Sequence, residues 1–496
     1  MKGKRRIISA VGIILLLLPV LVVSAGGVKD IDYEKWADPK LESLDDLSVE
    51  SLRSRAYGTQ ITLVDWLGKS DSIIEKDEYQ DFYSKDGSAV YNTYIAAYRS
   101  DGLRVYTRVD IPASEMPEEG YPVVIFVHGW VGEQDAPGYT FNYGPDSYYG
   151  DIIDTYVDAG YVVLMPGFRG HGTVHDVPAD GIEFMTAFDN GSYTSPIFYA
   201  IDVLNLIDGL KSLEHNDWSV WGFDREDAVQ LNLDSIHISG HSQGGDAVLT
   251  ALAVSGENSN LKNSVKTGSL WSGCFPDRVT QLDTYGAMGA SAEAFKAGTQ
   301  DTFEWNGTAV GKDGSVNPNF IFGWPPDWIG TVNPEEWSWQ ADYFNNSVHD
   351  ILKKKYSEMY TAFNEYVEDI DGLEFSMSVS ESGKVEMEHD PKILAATNTM
   401  STYLYPDYLK DEKIILHHSD QDYYSIPEWN RTLSRKVNEA GGNCIDFIYP
   451  ENTHSLQVSA HEWYDSDGSA SAGRSYALKR DITLFQGGKP EDITYP

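Results

Sequence analysis

Two cysteines, Cys274 and Cys444, stand in a chain of 496 residues, so no disulfide framework supports the fold. Cys274 falls just past the carboxyl end of one expected parallel strand and Cys444 opens another, which predicts that both are free and buried. Basic residues are scarce as well. Against 76 Asp and Glu there are 37 Lys and Arg, a formal net charge of −39, and an anionic surface of this size excludes nucleic acid and anionic lipid as partners. Solubility is the plainest reason for the acidity, and a high-salt or extracellular setting is the other. Beyond the first 25 residues there is no long apolar run, and residues 276–399 show no repeat period, so neither a membrane bundle nor a propeller or solenoid is expected.

The one apolar run, residues 7–23, follows Lys2, Lys4, Arg5 and Arg6 and ends in Val23-Ser24-Ala25, the layout of an export signal cut near Gly26. Left uncut, the same run would serve as an N-terminal membrane anchor, the only membrane contact expected. Pro19 and the short run favour cleavage and a secreted or extracytoplasmic protein. The rest, 41% hydrophobic and 12% aromatic overall, is enough to bury a large core. Residues 26–88 are polar and weakly patterned and read as an N-terminal cap segment.

From residue 89 the pattern is regular. Runs 89–99 and 103–111 alternate and are joined by Ser100-Asp101-Gly102, a hairpin signal. Continuous apolar runs follow at 123–127, 161–165, 235–239, 413–417 and 444–449, the texture of strands buried on both faces. Helical patterns alternate with them: one begins at Ser195-Pro196, one follows Ser242, and one spans 427–440 before Gly441-Gly442. This predicts an α/β fold, a mostly parallel central sheet with helices on both faces, in two parts, 89–275 and 400–496. Between them, residues 276–399 break the alternation; a helix is expected near 348–367, and the rest has no assignable pattern. This insertion leaves the sheet after Trp271-Ser272-Gly273, at the edge that carries the chemistry, and reads as a lid. Its aromatic residues, Trp305, Trp324, Trp328, Trp337 and Trp339 with Phe320, Phe322 and Tyr343, either close a pocket or form only the insertion's own core.

The sharpest motif is Gly240-His241-Ser242-Gln243-Gly244, directly after an expected strand and before an expected helix. That placement lifts the Ser242 hydroxyl above the sheet edge and aims the Gln243 backbone N–H at a developing oxyanion. The strand ending at Val127 turns at His128-Gly129-Trp130, which makes the Trp130 N–H a second oxyanion donor. The Trp130 indole either lines a pocket or covers the sheet edge. His128 reads as bracing the loop. A serine needs a base, and His454, after the strand 444–449, is placed to serve. Asp420 and Asp422, 34 and 32 residues before it, offer the carboxylate; Asp422 lies further out on its loop and is preferred. The order Ser, acid, His is that of α/β-hydrolases.

Residues 91–273 and 411–456 resemble the catalytic domain of the prolyl oligopeptidase family and its esterase relatives, within the α/β-hydrolase superfamily. The matching pieces are the hairpin, Phe126-Val127-His128-Gly129, Gly160-Tyr161-Val162-Val163, Arg169-Gly170-His171-Gly172, the Ser242 motif, the strand end before Asp422, and Tyr449-Pro450 before His454. The propeller of many such peptidases is absent. The resemblance implies a serine hydrolase with the triad Ser242, His454 and Asp422, acting on a small ester or peptide without cofactor or metal. Ester and peptide cleavage share one transition-state charge pattern, so carboxylesterase, lipase-like enzyme and peptidase remain open. The different-class alternative is a non-catalytic binding protein on a hydrolase scaffold; the complete Ser, acid, His order speaks against it. His171, His175 and Asp176 belong to a glycine-rich loop and are not read as metal ligands. Sequons at Asn190, Asn306, Asn345 and Asn430 allow glycosylation.

Overall fold

Strands that are apolar at every position need helices on both faces, and the computed structural model shows how this chain supplies them. It describes residues 38–68, 91–131, 149–188, 194–218, 229–284, 348–379, 385–419, 422, 425–450, 452, 454–456 and 473–496. The expected export signal, Asp420, the eight aromatic residues expected to form a lid or a core of the insertion, and the sequons at Asn190, Asn306 and Asn345 lie outside the described residues. All described residues belong to the unit Ile31–Pro496.

One sheet of nine strands dominates: β1 (Thr62–Gly68), β2 (Tyr91–Ser100), β3 (Leu103–Pro112), β4 (Tyr121–Val127), β5 (Val162–Pro166), β6 (Leu231–His241), β7 (Thr267–Trp271), β8 (Lys413–Ser419) and β9 (Asn443–Tyr449). Its order is β1-β2-β3-β5-β4-β6-β7-β8-β9. From β5 to β9 every pairing is parallel, whereas β1, β2 and β3 pair antiparallel, and β3 meets β5 antiparallel. The expected hairpin is β2–β3; Asp101 and Gly102 turn it at φ 54° and 82°, the positive values its tight turn requires. With the crossed order β5-β4-β6, and with β3 and β1 running against the other seven strands, the sheet has the α/β-hydrolase fold.

The helices of nine or more residues among the described residues are α1 (Gly150–Asp158), α2 (Ser195–Leu213), α3 (Gln243–Ser255), α4 (Val348–Tyr366), α5 (Pro391–Met400), α6 (Pro427–Glu439) and α7 (Gly473–Phe485). Alternation along β4 sorts them. Val123, Ile125 and Val127 face the core filled by α2, α3 and α6, while Val124 and Phe126 face the core filled by α1 and α7. The described part of the 276–399 insertion holds α4, a hairpin (Ser376–Val379 with Val385–Glu388) and α5. Its Ile351, Tyr356, Met359 and Phe363 join the core on the α2–α3 side. The 26–88 segment does more than cover. It adds β1 to the sheet, and Leu41 bridges to Val367 beyond α4. Cys274 and Cys444 are free and buried. Asn430 is wholly buried, its amide donating to Ser425 Oγ at 3.0 Å, so in the folded state this sequon offers no acceptor for a glycan.

Beneath the carboxyl ends of β6–β9 lies a buried carboxylate, Asp481 of α7. Its Oδ1 accepts from Ser269 Oγ (2.7 Å) and His417 Nε2 (2.8 Å), and its Oδ2 from Tyr156 Oη (2.7 Å) and Trp271 Nε1 (3.0 Å). Tyr449 Oη completes the set by donating to His417 Nδ1 at 2.8 Å. Burial lowers the His417 pKa, with Asp481 opposing, which suits a neutral ring that donates on one side and accepts on the other. Asp481→Asn turns one acceptor into a donor facing donors. The expected loss is roughly 2–4 kcal/mol of stability, read as a lowered denaturation midpoint with unchanged m-value.

Candidate active site

Ser242 sits at the bend between β6 and α3 with φ 56° and ψ −127°, a conformation that costs a non-glycine residue about 1–3 kcal/mol. The bend is held from several sides. Ser242 N–H donates to Trp271 O at 2.8 Å, and Ser242 O accepts from the N–H groups of Gly245 (2.8 Å) and Asp246 (3.3 Å). Positive φ recurs at Phe168, Ser272 and Leu456, in the loops after β5, β7 and β9, so backbone strain gathers at the carboxyl edge of the sheet.

Close approach explains the glycines of the motif. A Cβ on Gly244 would lie 2.1 Å from Val127 O and 2.5 Å from His128 O, and one on Gly240 would lie 2.5 Å from Gly244 O. The first turn of α3 therefore rests directly on the end of β4, which brings Gly129 to the serine: a Cβ on Gly129 would be 3.2 Å from Ser242 Cβ.

The structure brings His454 and Asp422 together. His454 Nδ1 lies 2.9 Å from both Asp422 Oδ1 and Oδ2, and both side chains are buried. Asp422 Oδ1 also accepts the Ser425 N–H at 2.9 Å, which fixes the carboxylate on its loop. With Nδ1 donating to Asp422, the Nε2 of a neutral imidazole is left as the basic nitrogen. The loop carrying His454 is tied at Asn452, whose Oδ1 accepts from Gly473 N and whose O accepts from Ser419 Oγ.

On the other side of Ser242, His128 is buried and bonds through Nδ1 to Gly129 O at 2.7 Å. A carbonyl only accepts, so Nδ1 carries the proton. Burial, then the neighbouring His171, lowers its pKa to about 3, which keeps the ring neutral and removes it as a general base near neutrality. The bond also has a directional effect. The Gly129–Trp130 peptide is trans, so fixing Gly129 O fixes the Trp130 N–H on the opposite side. The Trp130 side chain is 46% exposed at the rim, and Gln243 is buried at the start of α3. His171 joins the loops after β4 and β5, bonding Val131 O at 3.1 Å and Arg169 O at 3.0 Å. Arg169 is in turn locked between Asp101 (3.0 Å) and Asp202 (2.7 Å), all three fully buried. His175 is instead at the surface, 3.5 Å from Asp65. Among the described residues no group of three or more His, Cys, Asp or Glu gathers as a metal site would require.

The residues that sequence reasoning missed are those that hold the others. Tyr149 Oη lies 2.9 Å from both Gly129 N and His241 Nδ1, and Asp246 Oδ1 accepts the Cys274 N–H at 2.6 Å. His241 carried a faint signal, its place beside the serine; Tyr149 carried none.

No family model matches the chain, and neither does any curated protein sequence. Among solved structures it is similar to Pyrococcus horikoshii acylaminoacyl peptidase (13% identity, TM-score 0.41), aligned over 84% of this chain and 42% of that one. It is similar also to a putative hydrolase of Legionella pneumophila (12%, TM-score 0.45; 86% and 97% covered) and to an acetyl xylan esterase of Paenibacillus sp. R4 (13%, TM-score 0.39; 86% and 94%). The chain thus spans about two fifths of the peptidase chain's length.

The Gly244 contact can be tested without a substrate. Gly244→Ala forces α3 away from β4 and should cost roughly 1–3 kcal/mol or more. Gly245→Ala, whose Cβ would meet nothing nearer than Gly273 Cα at 3.3 Å, should stay within about 1 kcal/mol of wild type. Paired thermal melts of the two variants decide it.

Proposed function

We propose that this chain is an exported serine hydrolase that cleaves ester or peptide/amide bonds through an acyl-enzyme. One observation carries the reading: an imidazole bonded through Nδ1 to both oxygens of a buried carboxylate, at the sheet edge where Ser242 occupies a strained strand-to-helix bend. In this reading His454 Nε2 takes the Ser242 hydroxyl proton as Oγ bonds to the substrate carbonyl carbon. The carbonyl π electrons move to oxygen, and the oxyanion is met by the N–H groups of Gln243 and Trp130. Collapse expels the alcohol or amine, which receives the proton from His454. Water repeats the sequence and frees the acid. Asp422 holds the ring in the tautomer that leaves Nε2 basic and stabilises the imidazolium that forms. The buried His128 fits a role in orienting the Trp130 donor.

The test is labelling of the full chain with a fluorophosphonate, followed by turnover of short p-nitrophenyl esters and blocked peptides. Wild type should be labelled at Ser242, and Ser242→Ala should be folded, unlabelled and inactive. Asp422→Asn should lower kcat on the order of 10⁴-fold with small effect on KM. A folded wild-type protein that resists labelling and turns over neither substrate class would instead favour a binding protein.

A further inference from the structure

We infer that Tyr149 and His241 are positioning residues that lock the oxyanion loop and the histidine loop to each other across the nucleophile bend. The inference rests on the serine-hydrolase reading and adds to it two side chains that need not touch the substrate. Four groups form a continuous chain: Gly129 N to Tyr149 Oη (2.9 Å), Tyr149 Oη to His241 Nδ1 (2.9 Å), and His241 Nε2 to His454 O (3.1 Å). The proton order follows from the two backbone ends. The His454 carbonyl only accepts, so His241 Nε2 holds the proton; in a neutral ring Nδ1 then accepts, and Tyr149 Oη donates to it while accepting from Gly129 N–H. A neutral ring is what the surroundings dictate, since burial, followed by His454, lowers the His241 pKa well below its usual value.

The geometry shows why this chain bears on chemistry. Gly129 directly precedes Trp130, whose N–H is the proposed oxyanion donor, and His454 is the proposed base. His241 directly precedes Ser242 and lies with its ring centroid 4.8 Å from that of His454. Nucleophile, base and oxyanion donor come from three separate loops, after β6, β9 and β4, and this chain of bonds joins all three. Tyr149 is itself well seated. It is buried at the start of α1, edge-on to Phe126 at 4.9 Å, so its hydroxyl has little freedom to follow a drifting loop. Misplacement of reacting groups by about 1 Å costs on the order of 10²-fold in rate, so a partial loosening should cost less but remain measurable.

The experiment measures the second-order rate of fluorophosphonate labelling at Ser242 in the full-length wild type, Tyr149→Phe, His241→Gln and the double variant, beside kcat and KM for p-nitrophenyl butyrate. Tyr149→Phe keeps the ring packing and removes only the hydroxyl. It should slow labelling and kcat roughly tenfold, with KM within about twofold and the melting temperature within a few degrees. His241→Gln should lose a similar factor. The double variant should lose about the same factor rather than the product of the two, because either change breaks one chain. Single variants that label within twofold of wild type overturn the inference, and so do losses that multiply in the double variant. Should Tyr149→Phe fail to fold, His241→Gln alone decides by the same twofold criterion. Wild type that is not labelled at all overturns the serine-hydrolase reading instead, a separate outcome.

Discussion

An ionised carboxylate in a protein interior is tolerable only when its lone pairs are filled, and Asp481 fills its own with a serine and a tryptophan of β7, a histidine of β8 and a tyrosine of α1. Much of the site follows from that demand. Trp271, held by its indole, offers the carbonyl that fixes the Ser242 amide. His417, held by its ring, offers the carbonyl that fixes Ser272, and its strand runs on toward Asp422. Tyr449, bonded to His417, ends the strand that leads to His454. One charge beneath the sheet thus sets the register of three loops above it.

The strain at the upper edge is the counterpart of this rigidity. A serine at positive φ persists because its neighbours leave no alternative: α3 begins against the bare backbone of β4, where glycine alone fits, and β7 captures the Ser242 amide. The loop carrying Gly129 and the loop carrying His454 are then joined through Tyr149 and His241, the residue before Ser242.

Much of this was legible in the sequence because central parallel strands write themselves as unbroken apolar runs, and because β6, the bend and α3 are contiguous in the chain. What was not legible has physical causes. β1 is half-exposed and carries two register shifts, which destroys a two-residue period. α1 has nine residues, too few for a helical pattern to stand out. α7 buries Arg474, Arg480 and Asp481 beside Ala477 and Leu478, so its inward face does not look apolar. The choice between two neighbouring aspartates turns on loop geometry that spacing does not encode; Asp422 bonds His454, and Asp420 lies outside the described residues. Tyr149 lies in a stretch of glycine, aspartate and tyrosine whose composition says only loop. Its hydroxyl gains meaning only once β4 and β6 lie side by side.

The position of Asp481 along the chain has a consequence for biogenesis. Ribosomes deliver the polypeptide from its amino end, so Tyr156, Ser269, Trp271 and His417 are all made before the carboxylate that unites them. Until α7 emerges and docks, those polar groups face an apolar slot without their common acceptor, and the sheet's upper edge cannot take its final form. Completion is therefore vectorial: this part of the sheet stays unfinished until α7 has been synthesised. A keystone that closes late lengthens the time for which the strands above it remain an open thread.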